Sequence, residues 1–408
     1  MVVEEIPAVR SVSLGIWIGT GSRYETAENN GISHLIEHML FKGTERFSAK
    51  QIAEQFDSLG GFVNAFTAKE YTCYYMKVLD EHLEKGLDVL ADMFFHSKLD
   101  EQELEKEKRV IIEEIKMYDD TPDELVHDLL ARAVFPAHPL GWPIPGIASV
   151  VQSLKRESLL AFMAEHYTAN NTVVAVAGHV TKDVIALIER YFAQMPSGPA
   201  LKPPRESAVY QATEQVVVKD IEQAHLCMGL PGLSVADKDL YALILLNNVL
   251  GGSMSSRLFQ EVREERGLAY SVYSYTSQFL SEGVLALYAG TSPEQVPQLF
   301  EVLHRLLYEL QDKGLSREEL AKGKEQLKGN LMLGLESTSS RMNRIGKNEL
   351  ILGEQLTIDD LISRIEQVNL EQTWQLIQRI FSQPIALSMV SPLRERPKNF
   401  RRDRVAKG

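Results

Sequence analysis

The chain has 408 residues, 44% hydrophobic and 24% charged, with a formal net charge of -13. That length exceeds one ordinary domain and is read as two, each able to bury its own core. The acidic balance excludes nucleic acid as the expected partner, because phosphate recognition needs a basic face. Cys73 and Cys227 stand far apart without metal-ligand spacing, so a disulfide framework is not expected and a reducing compartment is. No uncharged stretch reaches the ~18 residues of a membrane span. Met1 to Ile6 holds Glu4 and Glu5 and no hydrophobic signal core, so the expectation is a soluble, cytoplasmic protein without membrane contact.

The first strand-like segment, Ser11 to Ile18, puts Val12, Leu14, Ile16 and Ile18 on one face. Next comes His34-Leu35-Ile36-Glu37-His38 inside an apolar, helical run. At about 100° per residue, Ile32, Leu35, Ile36 and Met39 form an apolar stripe, and His34, Glu37 and His38 share the opposite arc. Asn29 or Asn30 is the expected N-cap and Gly43 the expected stop. Two imidazoles four apart on one face, with a carboxylate between them, form the donor pattern of a hydrolytic zinc site. A surface helix with two solvated histidines is the plainer alternative.

Phe62 to Phe66 alternates in the β manner after Gly60-Gly61, with Thr72 to Val78 as its hairpin partner. Taken alone, this strand reads as an ordinary sheet edge. Helical periodicity covers Leu83 to Phe95 and Leu104 to Tyr118. In the second helix Leu104, Ile111, Ile115 and Tyr118 make the buried stripe, Glu107 and Glu114 fall in phase with it, and Glu113 points outward. An unpaired buried carboxylate is costly, and a metal or a metal-ligating histidine would stabilise it, as would basic residues at the stripe's edge. The helix thus offers a candidate third ligand, which catalytic zinc needs.

Asn171 to Ala177 is a further β-rich run and Asp183 to Met195 a further helix. Pro196-Ser-Gly-Pro-Ala-Leu-Lys-Pro-Pro204 then suits an exposed linker. The expected division is residues 1–196, a linker at 197–210, and residues 211–408. The halves resemble each other: Leu99 to Lys108 can be laid over Leu315 to Lys324, which sets Gly323 and Asn330 opposite Glu107 and Glu114. Asn247 to Leu258 is similar to Asn29 to Leu40 without its histidines. Only the first half would then carry metal chemistry.

The order His-x-x-Glu-His, Phe41-Lys42-Gly43-Thr44, then Glu107 and Glu114, the latter after a gap of 75 residues from His38, resembles the pitrilysin, insulysin and mitochondrial processing peptidase family of inverted-motif zinc peptidases. Gly60 to Thr67, Glu105 to Glu114, His138-Pro-Leu-Gly141 and Val262 to Tyr270 extend the resemblance over nearly the whole chain, which is closest in form to a short bacterial processing protease. The segment matching the family's first strand, Val2 to Ile6, is expected to be short.

The resemblance implies an α+β fold of two homologous domains, each a mostly antiparallel sheet with helices packed on it. It makes His34, His38 and Glu114 the ligands of one zinc ion per chain, Glu37 the general base that takes a proton from zinc-bound water, and Glu107 the carboxylate that orients a ligating histidine. The strand holding Asn64 and Ala65 would pair with an extended peptide, and Arg263 and Tyr270 would hold the scissile carbonyl and its neighbouring backbone. His138 is read as part of a turn, and the remaining histidines are not read as ligands. The implied partners are a peptide or unfolded polypeptide substrate and a second subunit, identical or related, that completes a chamber. Two other readings are a non-catalytic scaffold of the same family and a peptide-binding module with structural zinc.

Overall fold

β2 (Ser11–Ile18) begins and ends where the alternation places it, yet both of its faces are buried. Val12, Leu14, Ile16 and Ile18 enter one core, while Ser13, Gly15 and Trp17 lie under the helix Thr338–Leu352. Ser13 Oγ is 2.9 Å from Thr338 Oγ1, and the Trp17 indole N–H donates to Met342 Sδ at 3.4 Å. A Cβ built on Gly15 would sit 2.5 Å from that sulfur and 2.8 Å from the Trp17 indole nitrogen, so a larger residue would displace the Met342 side chain. The expectation of one apolar face therefore described half of the strand's environment.

A computed structural model of the chain describes residues 1–198 and 207–394, so most of the linker expected at 197–210 lies outside the described residues. β1 (Val2–Glu5), β5 (Thr172–Gly178), β2, β4 (Thr72–Leu79) and β3 (Phe62–Thr67) form one sheet in that order. β6 (Glu214–Val218), β10 (Ala386–Ser391), β7 (Ala224–Pro231), β9 (Gly283–Thr291) and β8 (Ser271–Gln278) form the other. Apart from the parallel pairs β1–β5 and β6–β10, every pairing is antiparallel. The two strand orders have the same pattern in chain sequence, the topological mark of a duplication, and the α+β reading holds.

The helices do not respect the linker. One compact unit comprises Met1–Lys116, the described part of 143–205, and Met332–Gln355. The other comprises Met117–Trp142, the described part of 206–331, and the described residues from Leu356 onward. The contiguous division 1–196 and 211–408 thus separates the sheets but misassigns one helical stretch in each half. In the first unit, Arg341 and Arg344 of the helix Thr338–Leu352 hold Glu4 of β1, Arg344 at 2.9 Å. In the second, the helix Pro122–Val134 lies on β7 and β10, where Ser388 Oγ donates to the Val126 carbonyl at 2.7 Å.

The first core joins Leu14, Leu35, Ile36, Met76, Leu87 and Ile111; the second joins Leu226, Leu243, Leu246, Phe300, Ile377 and Leu387. Full burial of one such side chain contributes about 1.5–3 kcal/mol, so each core is a large driving force. The helix Leu240–Gly251 stands between β7 and β8 as Ile32–Met39 stands between β2 and β3. The likeness expected between 247–258 and 29–40 is therefore out of register: helix stops at Gly251 and resumes only at Arg257. Among the described residues, no helix is long and apolar enough to cross a membrane.

Candidate metal centre

The helix Ile32–Met39 buries Ile32, Leu35, Ile36 and Met39 against the first core and turns His34, Glu37 and His38 to its other side. Its start differs from the expected asparagine cap. Asn29 accepts the Thr26 N–H in its own turn, and Asn30 donates to Glu25 at 2.9 Å. The N-cap is Gly31 at φ +96°, where a Cβ would lie 2.6 Å from the Pro145 carbonyl oxygen. The Gly31 and Ser33 N–H groups donate to the Glu25 carboxylate at 2.8 and 3.0 Å.

The helix Glu101–Asp119 brings up the two carboxylates. Leu104, Glu107, Lys108 and Ile111 are buried, but Ile115 is only partly so and Tyr118 is exposed; the expected stripe ends a turn early, where the helix runs off the first core. Glu113 points outward to Lys116, as its phase predicts. Glu107 Oε2 lies 3.1 Å from His38 Nδ1, and its Oε1 accepts from Lys42 Nζ at 2.7 Å. Burial alone would push the Glu107 carboxyl up, but the hydrogen bonds from His38 and Lys42 and the Lys42 charge hold it below its ordinary value. An ionised carboxylate can only accept, so His38 carries its proton on Nδ1 and keeps the Nε2 lone pair free.

Glu114 faces both imidazoles: Oε1 is 3.8 Å from His34 Nε2 and Oε2 is 3.7 Å from His38 Nε2. These separations are too long for hydrogen bonds. Two ligands bound tetrahedrally at zinc distances stand roughly 3.3–3.5 Å apart, so the spacing is a few tenths of an ångström from that of a filled site. The imidazole centroids are 4.6 Å apart. Burial, with the neighbouring His38, pushes His34 down to about 3, which keeps it neutral and able to ligate. Burial raises the Glu114 carboxyl, an effect the neighbouring His38 ring offsets only in part, and a cation between the three groups would counter it. Among the described residues, His34, His38 and Glu114 are the group whose donor atoms converge, within 4.8 Å of one another. Two neutral nitrogens and one carboxylate fit zinc and leave a coordination position for water.

Glu37 sits between the histidines in sequence, and Thr67 Oγ1 donates to its Oε2 at 2.5 Å. Burial raises the Glu37 carboxyl despite that hydrogen bond, moving it toward the range of a base that works near neutrality. Thr67 ends β3, whose Val63 and Ala65 pack toward the same core while Phe66, on the other face, joins Trp17, Tyr71 and Tyr75. β3 is an edge strand, paired only with β4. Asn64, beside Ala65 on that edge, uses its Oδ1 to accept the Ala65 N–H at 2.8 Å.

Arg263 and Tyr270 belong to the second unit, where they meet each other: the guanidinium lies 4.6 Å from the Tyr270 ring centroid and 4.7 Å from that of Phe259. Tyr270 is 81% exposed. His138 accepts the Leu140 N–H and closes a short turn. In the second unit's counterpart of the carboxylate helix, Arg317–Gly334, a Cβ on Gly323 would stand 3.2 Å from Val249 and 3.5 Å from Leu245. Close helix packing thus surrounds Gly323, which the sequence overlay sets opposite Glu107, and Asn248 donates to Gln326 at 2.8 Å. Sequence reasoning missed Lys42, Thr67 and Glu25. The first two stood inside motifs already noticed; Glu25 carried no signal beyond an acidic residue upstream of a helix.

Comparison with known proteins gives matches across the chain. Residues 1–146 match the family model described as Insulinase (Peptidase family M16), and residues 153–327 match the one described as Peptidase M16 inactive domain. The uncharacterized zinc protease YmxG of Bacillus subtilis is 52% identical over 393 residues, 96% of each chain. An uncharacterized zinc protease of Streptomyces coelicolor is 41% identical over 414 aligned positions, spanning 100% of this chain and 90% of that one. Among solved structures, a peptidase M16 inactive domain from Pseudomonas fluorescens is similar in fold at a TM-score of 0.89, with 22% identity over 97% of this chain and 96% of that one. A protease from Helicobacter pylori also gives 0.89, with 23% identity over 96% of both chains.

Proposed function

Because this chain belongs to the insulinase family of M16 peptidases, we propose that it is a zinc metalloendopeptidase whose metal is held, one ion per chain, by His34, His38 and Glu114. The observation that carries the proposal is the convergence of these three donors beside the half-buried Glu37 carboxylate, which Thr67 holds. A zinc ion there supplies a Lewis acid for the scissile carbonyl and acidifies a water. Glu37 would take a proton from the attacking water and return it to the departing amine, and Thr67 orients its carboxylate through Oε2. Glu107, itself anchored by Lys42, holds the His38 ring in the tautomer that ligates.

The free edge of β3 favours an extended substrate, docked as an added strand along Asn64 and Ala65. Arg263 and exposed Tyr270, paired in the second unit, are the donors proposed to grip the scissile carbonyl and the adjoining backbone. The working form is a homodimer enclosing a chamber for peptides and unfolded segments, with each subunit's Arg263 and Tyr270 serving the partner's metal centre. The substituted second unit, closed by Gly323, supports assigning the chemistry to the first unit alone.

Metal analysis combined with a quenched-peptide assay on the wild type and Glu37→Gln tests the reading. Both forms should bind one zinc per chain, and the variant should lose cleavage by about 10²–10⁴-fold. Absence of cleavage in the wild type would favour a scaffold, and zinc binding with cleavage indifferent to Glu37 would refute the assigned base.

A further inference from the structure

Glu25 is a carboxylate buried to 4% exposure that takes no part in the proposed chemistry. Both of its oxygens are engaged, Oε2 by Gly31 N–H and Asn30 Nδ2–H, and Oε1 by Ser33 N–H. Every one of these partners donates, and none offers an acceptor for a carboxyl proton, so the hydrogen bonding fits the ionised form. Burial pushes the carboxyl up, and these bonds together with the Ser33 side chain offset that rise only in part.

His34 is the third residue of the helix these N–H groups open. The first turn of a helix carries a positive partial charge of about half an elementary charge. A dication bound at His34 would be held in that field, which opposes it. No side chain at the N-cap relieves the field, because Gly31 has none and its conformation and packing forbid one. The relief comes from Glu25, eight residues before Ser33 in the chain.

We infer that Glu25 is a positioning residue of the metal centre, whose buried negative charge cancels the positive end of the helix and fixes the turn that presents His34 to the metal. This rests on the assignment of His34, His38 and Glu114 as ligands. Glu25→Gln keeps the shape and one acceptor but removes the charge and sets an NH2 group against backbone donors. Glu25→Asp keeps the charge on a shorter stem.

The test is zinc affinity by chelator competition on folded protein, with melting temperatures measured alongside. The expected order is wild type, then Glu25→Asp within about threefold, then Glu25→Gln weaker by tenfold or more, one decade being 1.4 kcal/mol. Equal affinity in folded Glu25→Gln and wild type would overturn the inference. If Glu25→Gln does not fold, a tenfold loss in folded Glu25→Asp overturns it, because charge would then not be what matters. A wild type that binds no zinc would instead refute the ligand assignment, which separates the two failures.

Discussion

Lys42 shows how far the metal centre reaches beyond its ligands. Its ammonium, 2.7 Å from Glu107, keeps that carboxylate charged, and the charged carboxylate in turn fixes His38. Glu107→Gln should weaken zinc binding by about 10–100-fold, the usual cost of losing such a partner, and Lys42→Met by less. Chelator competition at fixed pH checks both, and a Lys42→Met loss larger than that of Glu107→Gln would contradict the chain of dependence. At this scale the sequence was informative where periodicity acts. The phases of Glu107 and Glu114 on one helix stripe marked them before any geometry was known. Glu25 was illegible because two of its three partners are backbone N–H groups, which no residue type announces.

Among the elements, the helix Thr338–Leu352 decides how β2 is covered. Gly346 faces Trp17 so closely that a Cβ would stand 2.4 Å from the indole nitrogen. Gly346→Val should therefore destabilise the first unit by about 1–3 kcal/mol through overpacking. Denaturant unfolding followed by tryptophan fluorescence would measure it, and an unchanged midpoint would show that the helix can shift aside. Alternation located the ends of β2 correctly, because a period of two is local. It could not reveal that Ser13, Gly15 and Trp17 also meet a helix, since that helix lies more than 300 residues further along the chain. The missed end of the Glu101–Asp119 stripe has the same origin: a pattern says which residues share a face, not where the core beneath it stops.

For the whole molecule, the duplicated topology gives two units, of which the first carries the converging donors His34, His38 and Glu114 and the second packs Gly323 against Val249 and Leu245. The proposed division of labour between subunits predicts complementation. Glu37→Gln and Arg263→Ala should each be nearly inactive as homodimers, whereas mixing them under exchanging conditions should restore up to about a quarter to a half of wild-type peptide cleavage, since mixed dimers contain one intact composite site. No recovery, with subunit exchange verified by differently tagged chains, would put Arg263 in service of its own chain's site. Composition and motif order carried the two-unit reading, and the strand orders carry it further than sequence likeness could, because strand pairing outlasts residue identity.

The exchange of helical stretches also bears on how the protein is made. Synthesis runs from the N-terminus, so all five strands of the first sheet and the His34–His38 helix are complete by Gly178, while the helix that covers Trp17 ends only at Leu352. A nascent chain stopped at the linker would display Ser13, Gly15 and Trp17 to solvent or to a chaperone. The first unit therefore reaches its finished fold only when most of the polypeptide has left the ribosome, and its N-terminal stretch alone lacks the helix that covers one face of β2.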